Sequence, residues 1–361
     1  MMTNKVNCGG VIIGGGAKVS IQSMTNVDTR DVKGCLEQIK RLTEAGCQIV
    51  RLAVPDMDSA LAFGEIKKQV NVPLVADIHF DYRLAVAAIE NGADKVRINP
   101  GNIGSRENVR EVVRAAAARN IPIRIGVNSG SLEKDILIKY HGVTAEGLAE
   151  SALRNIKIVE EMEFDQIVVS LKASNVKLNF EAHKLVAAMT NHPIHIGITE
   201  AGTVNSGRLK SAIGIGALLL EGIGDTMRVS LTGDPVKEII LAKEILEAVG
   251  LEGNGINLIS CPTCARTKVD LEKIALEIEN KLKQIAIQRE EKGLQKLTVA
   301  VMGCAVNGPG EAKGSDVGVA CGDGKGVIFI KGEIVKTVKE EDITAELLKA
   351  VENYEKYSWG L

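Results

Sequence analysis

The 361-residue chain is poor in aromatic side chains: one Trp, four Tyr and five Phe make up 3% of it. So sparse a set offers few faces on which bases could stack, which argues against a binder of single-stranded nucleic acid. A basic excess is missing as well. Lys and Arg number 44 against 46 Asp and Glu, a formal net charge of −2, whereas a surface that tracks a phosphate backbone is rich in positive charge. No nucleic-acid partner is therefore expected. No apolar run reaches the roughly 18 residues of a spanning helix, and the opening Met1-Met2-Thr3-Asn4-Lys5 carries no signal-peptide apolar core. These absences predict a cytoplasmic protein without a membrane partner. The sequence also lacks a dinucleotide fingerprint, so direct use of a nicotinamide cofactor is not expected. Seven Cys in a chain of this size are too few for a disulfide framework, and in a reducing compartment some are expected to be ligands or nucleophiles.

What the chain does have is length and rhythm. Its 45% hydrophobic and 25% charged residues are those of a globular protein, and its length suits a barrel of about 250 residues plus a domain of about 100. Eight short β-like runs recur: Val19–Thr25, Gln48–Val54, Pro73–His79, Lys95–Asn99, Pro122–Asn128, Gln166–Ser174, Ile194–Thr199 and Thr226–Thr232. Helical stretches such as Cys35–Ala45, Ser59–Gln69, Arg83–Asn91 and Asn108–Arg119 separate them. Strand–helix alternation repeated eight times predicts an α/β fold, a (β/α)8 TIM barrel over residues 1–249. A doubly wound sheet is the alternative, and eight units without a long break favour closure.

The glycine-bearing stretch Val249–Gly255 reads as a linker. Beyond it, strands are expected at Ile256–Ser260, Leu297–Met302, Val317–Ala320 and Val327–Lys331. A helix capped by Asp270 places Leu271, Ile274, Ile278, Leu282 and Ile285 on one face, and a last helix covers Ile343–Tyr357. This is the pattern of an α+β domain over residues 250–361.

Alternation within the barrel strands assigns faces, because one set of side chains points into the lumen and the other packs on the helices. In Ile123-Arg124-Ile125-Gly126-Val127-Asn128 the apolar set takes the helices and leaves Arg124, Gly126 and Asn128 inward. The same reading turns Arg51, Asp77, His79, Arg97, Asn99, Ser170, Lys172, Ser174, Arg228 and Ser230 inward. Arg51, Arg97, Arg124, Lys172 and Arg228 are then five cations on five strands. Asp77 and Glu200 could neutralise two of them, and uncompensated buried charge is very costly. An anionic ligand of high charge such as a diphosphate is the simpler solution, since Arg pairs phosphate oxygens bidentately; an internal ion-pair network is the alternative. His79 and His195 fit a structural role as well as a catalytic one. Glu221 fits either a substrate-facing acid or a solvated helix residue.

In the C-terminal domain Cys261-Pro-Thr-Cys264 follows one strand and Cys304 a second. Strands lying parallel would bring all three thiols to one edge. With no His in this domain and no second close Cys pair, a structural zinc site is poorly provided for. Three thiolates plus an oxygen ligand suit a [4Fe–4S] cluster with one distinctive iron, and Glu311 could supply that oxygen. Cys321 is expected to be a small turn residue.

Cys261-Pro-Thr-Cys264-Ala-Arg266 and Met302-Gly-Cys304-Ala-Val-Asn307-Gly-Pro-Gly-Glu311-Ala closely resemble the 4-hydroxy-3-methylbut-2-en-1-yl diphosphate synthase family. So do Ile21-Gln-Ser-Met-Thr-Asn26, Ala76-Asp-Ile-His-Phe80, Val96-Arg-Ile-Asn-Pro-Gly-Asn102 and Gly197-Ile-Thr-Glu-Ala-Gly202 in the barrel. The resemblance implies reductive ring opening of 2-C-methyl-D-erythritol 2,4-cyclodiphosphate, with two electrons delivered through a [4Fe–4S] cluster. It implies Cys261, Cys264, Cys304 and Glu311 as cluster ligands. Arg51, Arg97, Asn99, Arg124, Asn128, Lys172, Ser174, Arg228 and Ser230 would hold the diphosphate. Glu200 and Glu221 are implied for proton handling, Asp77 and His79 for orienting substrate. Flavodoxin or ferredoxin is the implied electron donor and a head-to-tail homodimer the implied assembly. Two other classes stay open on the residues alone: a non-redox barrel with a structural metal, and an iron–sulfur sensor that binds RNA.

Overall fold

The structure is a computed structural model that describes residues 2–252, 255–304 and 314–358. The chain divides into two compact units, Met1–Leu251 and Glu252–Leu361.

The first unit opens with a hairpin, β1 (Val6–Cys8) and β2 (Val11–Ile13). Eight parallel strands follow: β3 (Ser20–Met24), β4 (Ile49–Ala53), β5 (Leu74–Asp77), β6 (Lys95–Ile98), β7 (Ile123–Asn128), β8 (Ile167–Lys172), β9 (His195–Ile196) and β10 (Thr226–Met227). They run in the order β8-β7-β6-β5-β4-β3-β10-β9, and a parallel bridge from Val169 to Ile194 brings the two ends of the sheet together. The ring is thus nearly closed, the (β/α)8 barrel that the alternation predicts. The predicted strands are all present, though the last two keep only two ladder residues each.

Helices α1 (Val32–Glu44), α2 (Met57–Lys67), α3 (Tyr82–Glu90), α4 (Arg106–Arg119), α5 (Lys134–Lys139), α6 (Ala145–Glu160), α7 (Val176–Ala187), α8 (Val204–Leu220) and α9 (Val236–Ala248) surround the strands. Side chains at their N-termini fix where most begin. Asp31, Asp56, Ser105, Thr144 and Asn175 each accept a backbone N–H from the residue three further on, satisfying a donor that the helix itself cannot. The outward strand residues, such as Val50, Leu52, Val96, Ile98, Ile123, Ile125 and Val169, pack with the helices in one buried core.

The registers place the inward side chains in rings of four from alternate strands, the usual filling of this fold. From the bottom the rings are Ile49, Lys95, Val168 and Thr226; then Gln22, Val75, Arg124 and His195; then Arg51, Arg97, Ser170 and Arg228; then Met24, Asp77, Gly126 and Gly197. Such rings are ordinarily filled with branched aliphatics. Here only Ile49, Val75 and Val168 remain, and they join Val6, Cys8 and Ile13 of the hairpin in an apolar plug.

The second unit is a five-stranded sheet of β11 (Ile256–Ser260), β12 (Leu297–Met302), β13 (Val317–Gly322), β14 (Lys325–Ile330) and β15 (Glu333–Lys339) in sequential order. The first three strands are parallel and the rest antiparallel. Helices α10 (Leu271–Glu291) and α11 (Ile343–Glu352) share a core with the sheet through Leu271, Ile278, Leu282, Ile343 and Leu347. Asp270 accepts the Lys273 N–H at 3.2 Å, as a cap should. Strand β15 is not foreseen in the sequence: it is exposed on both faces except at Val338 and shows no buried–exposed alternation. Among the described residues no helix is long and apolar enough to cross a membrane.

Candidate active site

Above the lower rings, at the C-terminal ends of the strands, lies a cavity of about 120 Å³. Its wall is made of Arg51, Asp77, His79, Arg97, Arg124, Asn128, Ser170, Lys172, Thr199, Arg228 and Ser230. Two glycines provide the space. A Cβ on Gly126 would overlap Arg97 Nε, and one on Gly197 would come within 2.6 Å of the Arg228 carbonyl oxygen.

The acids of this site are two. Asp77, buried in the lumen, lies 3.4 Å from Arg97 Nη1, 3.8 Å from Arg51 Nε and 3.6 Å from His79 Nε2. Burial by itself would raise its pKa, but Arg51, the His79 hydrogen bond, Arg97 and Arg124 together hold the carboxyl far below the usual range. Asp77 therefore stays ionised and organises cations. The second acid is Glu238 on α9, which the sequence reading does not single out. It accepts from Arg228 Nε and Nη2 at 3.3 Å, from Ser23 Oγ at 2.8 Å and from Leu231 N at 3.1 Å. Glu238 shares the buried face of α9 with Leu241, Ala242 and Ile245, and an acid at a core position of a helix is a signal the sequence does carry.

Five cations and two acids leave three positive charges unmatched. Burial, then repulsion by Arg51 and Arg97, pushes the Arg124 guanidinium well below its ordinary pKa. Burial and the four guanidiniums do the same to Lys172, and burial takes Arg51 down to about 10. Arg does not give up its proton in proteins, and among the described residues Arg124 Nε and Nη1 have no hydrogen-bond partner.

Four residues named from the sequence do not line this cavity. Asn99 is buried, but its Oδ1 accepts the Gly101 N–H at 3.0 Å within its own loop. Strand β8 ends at Lys172, so Ser174 lies in an exposed bend before Asn175 caps α7. Glu200 occupies an exposed turn after β9 with φ of 51°, and Glu238 rather than Glu200 pairs with the cations. Glu221 is corrected outright. It is the C-cap of α8, ion-paired with Lys184 at 3.2 Å, and it lines a separate cavity with Ile223 and Asp225, just ahead of where β10 begins. That is the opposite end of the barrel from the cation site. Thr199 and Met24 are additions. Met24 Sδ lies 3.2 Å from Arg51 Nε.

In the second unit Cys261 directly follows β11 and Cys304 lies two residues past the parallel β12. Cys261 Sγ accepts the Gly303 N–H at 3.1 Å. Cys264 is exposed, and hydrogen bonds from the Arg266 backbone and side chain draw its thiol below the ordinary pKa. The Arg266 guanidinium feels all three thiols. Among the described residues no three potential ligands close on one point as a finished metal site, and Glu311 lies outside the described residues. The donors nonetheless fit an iron–sulfur group: three thiols at one sheet edge, one already accepting an amide N–H and one biased toward thiolate. Cys321 sits in β13 opposite Gly326 and is fully buried, so it belongs to the core and not to a turn. Burial pushes its thiol up to about 12.

A TIM barrel with a cation-rich, glycine-relieved lumen, followed by a separate thiol-bearing α+β domain, defines a class of two-domain protein. Comparison with known proteins narrows this. Residues 3–243 match the GcpE TIM-barrel domain and residues 257–353 the GcpE protein C-terminal domain; the chain belongs to the GcpE family. It is 58% identical over 351 residues to the 4-hydroxy-3-methylbut-2-en-1-yl diphosphate synthase (flavodoxin) of Caldanaerobacter subterraneus subsp. tengcongensis, covering 97% of each chain. It is 57% identical over 350 residues to the enzyme of that name from Clostridium perfringens, covering 97% of this chain and 98% of the relative. Among solved structures, dihydropteroate synthase from Stenotrophomonas maltophilia is similar with a TM-score of 0.51 at 14% identity, over 68% of this chain and 98% of that one. That likeness concerns the fold alone.

Proposed function

We propose that this chain is an iron–sulfur oxidoreductase that converts 2-C-methyl-D-erythritol 2,4-cyclodiphosphate to 4-hydroxy-3-methylbut-2-enyl diphosphate, a step of isoprenoid biosynthesis, with flavodoxin as electron donor. The name shared by relatives 58% and 57% identical over nearly the whole chain supports the activity. The observation that carries the site is the unmatched charge of the lumen, three positive units in a buried space.

The conversion takes up two electrons and one proton, opens the cyclic diphosphate by breaking a carbon–oxygen bond, and releases a hydroxyl as water. A cyclodiphosphate carries two ionised oxygens and the ring-opened diphosphate monoester carries three. The three free charges of the lumen therefore match the opened form better than the closed one, so the barrel stabilises charge as it develops. Arg51, Arg97, Arg124, Lys172 and Arg228 bind the diphosphate oxygens, with Asn128 and Ser230 at the rim. Asp77 and His79 hold Arg51 and Arg97 in place. Glu200, in the exposed loop after β9, is the remaining candidate for delivering the proton. A [4Fe–4S] cluster held by Cys261, Cys264, Cys304 and Glu311 in residues 250–361 supplies the electrons. A head-to-tail homodimer in the cytoplasm, with each barrel served by its partner's cluster domain, completes the reading.

Mössbauer and visible spectra of protein purified without oxygen, before and after adding the cyclodiphosphate, test it. A brown protein in which one iron differs from the others and responds to the substrate is expected. A colourless protein that takes up only zinc would sink the redox reading.

A further inference from the structure

The lower two rings of the barrel have a polar content that the substrate site does not use. Lys95 and Thr226 face each other across the lowest ring, with Ile49 and Val168 on the other diameter. Gln22 and His195 lie in the ring above, and Ser20 is level with Thr226 on the neighbouring strand. All five polar side chains are at most 1% exposed. Among the described residues, both amide atoms of Gln22, both ring nitrogens of His195 and the hydroxyls of Ser20 and Thr226 have no hydrogen-bond partner, and Lys95 Nζ has none but the weak Cys8 thiol. None of these residues lines the cation cavity above.

The cluster is unlike an ordinary buried polar network, in which donors and acceptors satisfy one another. Every one of its side chains can donate, and it contains a cation. Arg124 and Arg51 repel Lys95, and the one group that favours its charge is the Cys8 thiol of the hairpin, which burial itself biases toward the protonated form. No carboxylate is among them. The two acids of the lumen are already committed higher up, Asp77 to Arg51 and Arg97 and Glu238 to Arg228. From below, the apolar plug of Val6, Ile13, Ile49, Val75 and Val168 keeps the bulk solvent away.

We propose that the floor of the barrel is a binding site for one small monovalent anion, of the charge and size of chloride, held by Lys95 Nζ and the donors of Gln22, Thr226, Ser20 and His195. Water could accept from these donors, but it would leave the Lys95 charge uncompensated beneath Arg124. A polyatomic anion does not suit the lowest ring, because Ile49 and Val168 wall one diameter and leave only the Lys95–Thr226 diameter polar. The bound anion offsets the repulsion between Lys95 and Arg124 and leaves the Arg124 guanidinium to the pocket above. The site is independent of what the upper pocket binds.

Crystals of the holoprotein grown with bromide in place of chloride, and measured at the bromine edge, test the proposal. One anomalous peak within contact distance of Lys95 Nζ, below the Arg124 ring, is expected, and it should persist when inorganic diphosphate occupies the upper pocket. In solution, chloride or bromide should raise the melting temperature above that in gluconate at equal ionic strength, and Lys95→Met should remove this difference. No peak at the floor of the wild-type barrel, or a peak confined to the upper pocket and displaced by diphosphate, overturns the proposal. The wild-type crystal decides the matter even if Lys95→Met does not fold.

Discussion

At the scale of single residues, the lumen sets stability against binding. Arg124 is buried, lacks an acid of its own and is repelled by Arg51 and Arg97, so it is held in the fold at a cost that a bound anion offsets. Arg124→Met should raise the melting temperature of the ligand-free protein. It should also lower kcat/KM by roughly 10- to 150-fold, the loss of charge-assisted hydrogen bonds of about 1.5–3 kcal/mol, seen in kcat as well as in KM. Calorimetry and steady-state kinetics on the one variant check both signs.

Asp77 should behave in the opposite way. Its folded pKa lies far below the unfolded value of about 3.9. It therefore contributes stability that is complete above that value and is lost as pH falls toward the folded one. Asp77→Asn should cost roughly 3 kcal/mol near neutrality, since it leaves partners buried and unpaired. It should also flatten the acid limb of the melting curve below about pH 4. An unchanged acid limb would mean that Asp77 is not ion-paired as described. Glu221→Gln, at the far end of the barrel, should leave kcat and KM within about twofold.

At the scale of elements, the alternating runs made the lumen readable. Ile123-Arg124-Ile125-Gly126-Val127-Asn128 names its own faces, because the hydrophobic half must meet the helices, and the structure keeps Ile123, Ile125 and Val127 in the outer core. The failures occur where strands stop. Nothing in the alternation says that β8 ends at Lys172, yet the Asn175 cap of α7 leaves no room for two more ladder residues. Glu221 was misplaced for a topological reason: a residue after a barrel helix and before the next strand sits at the N-terminal face, away from catalysis. Glu238 stands between the two cases: an acid at a core position of α9 is visible in the pattern, but its pairing with Arg228 is a tertiary fact. Cys321 looked like a turn residue until β14 and β15 extended the sheet beside it.

The glycines belong to the same scale. Gly126→Ala would drive a methyl group into the Arg97 guanidinium and narrow the anion pocket. Arg97 can swing only by leaving Asp77, so KM should rise by about tenfold and the melting temperature should fall with the lost ion pair. Isothermal titration with inorganic diphosphate measures this directly.

At the scale of the whole molecule, the division of labour between two units was legible from the change of rhythm near residue 250. Assembly was not legible, because local sequence pattern carries no information on it. A shared site between subunits makes a sharp prediction. Arg124→Ala and Cys304→Ser, each inactive alone, should regain up to about a quarter of wild-type activity when their dimers are mixed and exchanged. That yield follows if subunits pair at random and one of the two sites in each mixed dimer is intact. No recovery after confirmed exchange would assign each site to one chain.

The most direct test of the central claim is phosphorus NMR of the anaerobic protein with reduced flavodoxin and 2-C-methyl-D-erythritol 2,4-cyclodiphosphate. A diphosphate-binding barrel that couples electron delivery to ring opening predicts loss of the cyclic resonances and the growth of an open-chain diphosphate monoester, one per two electrons consumed, with Lys172→Met slowing turnover at low substrate. Cyclic diphosphate that remains intact while fully reduced, iron-loaded protein is present would contradict it.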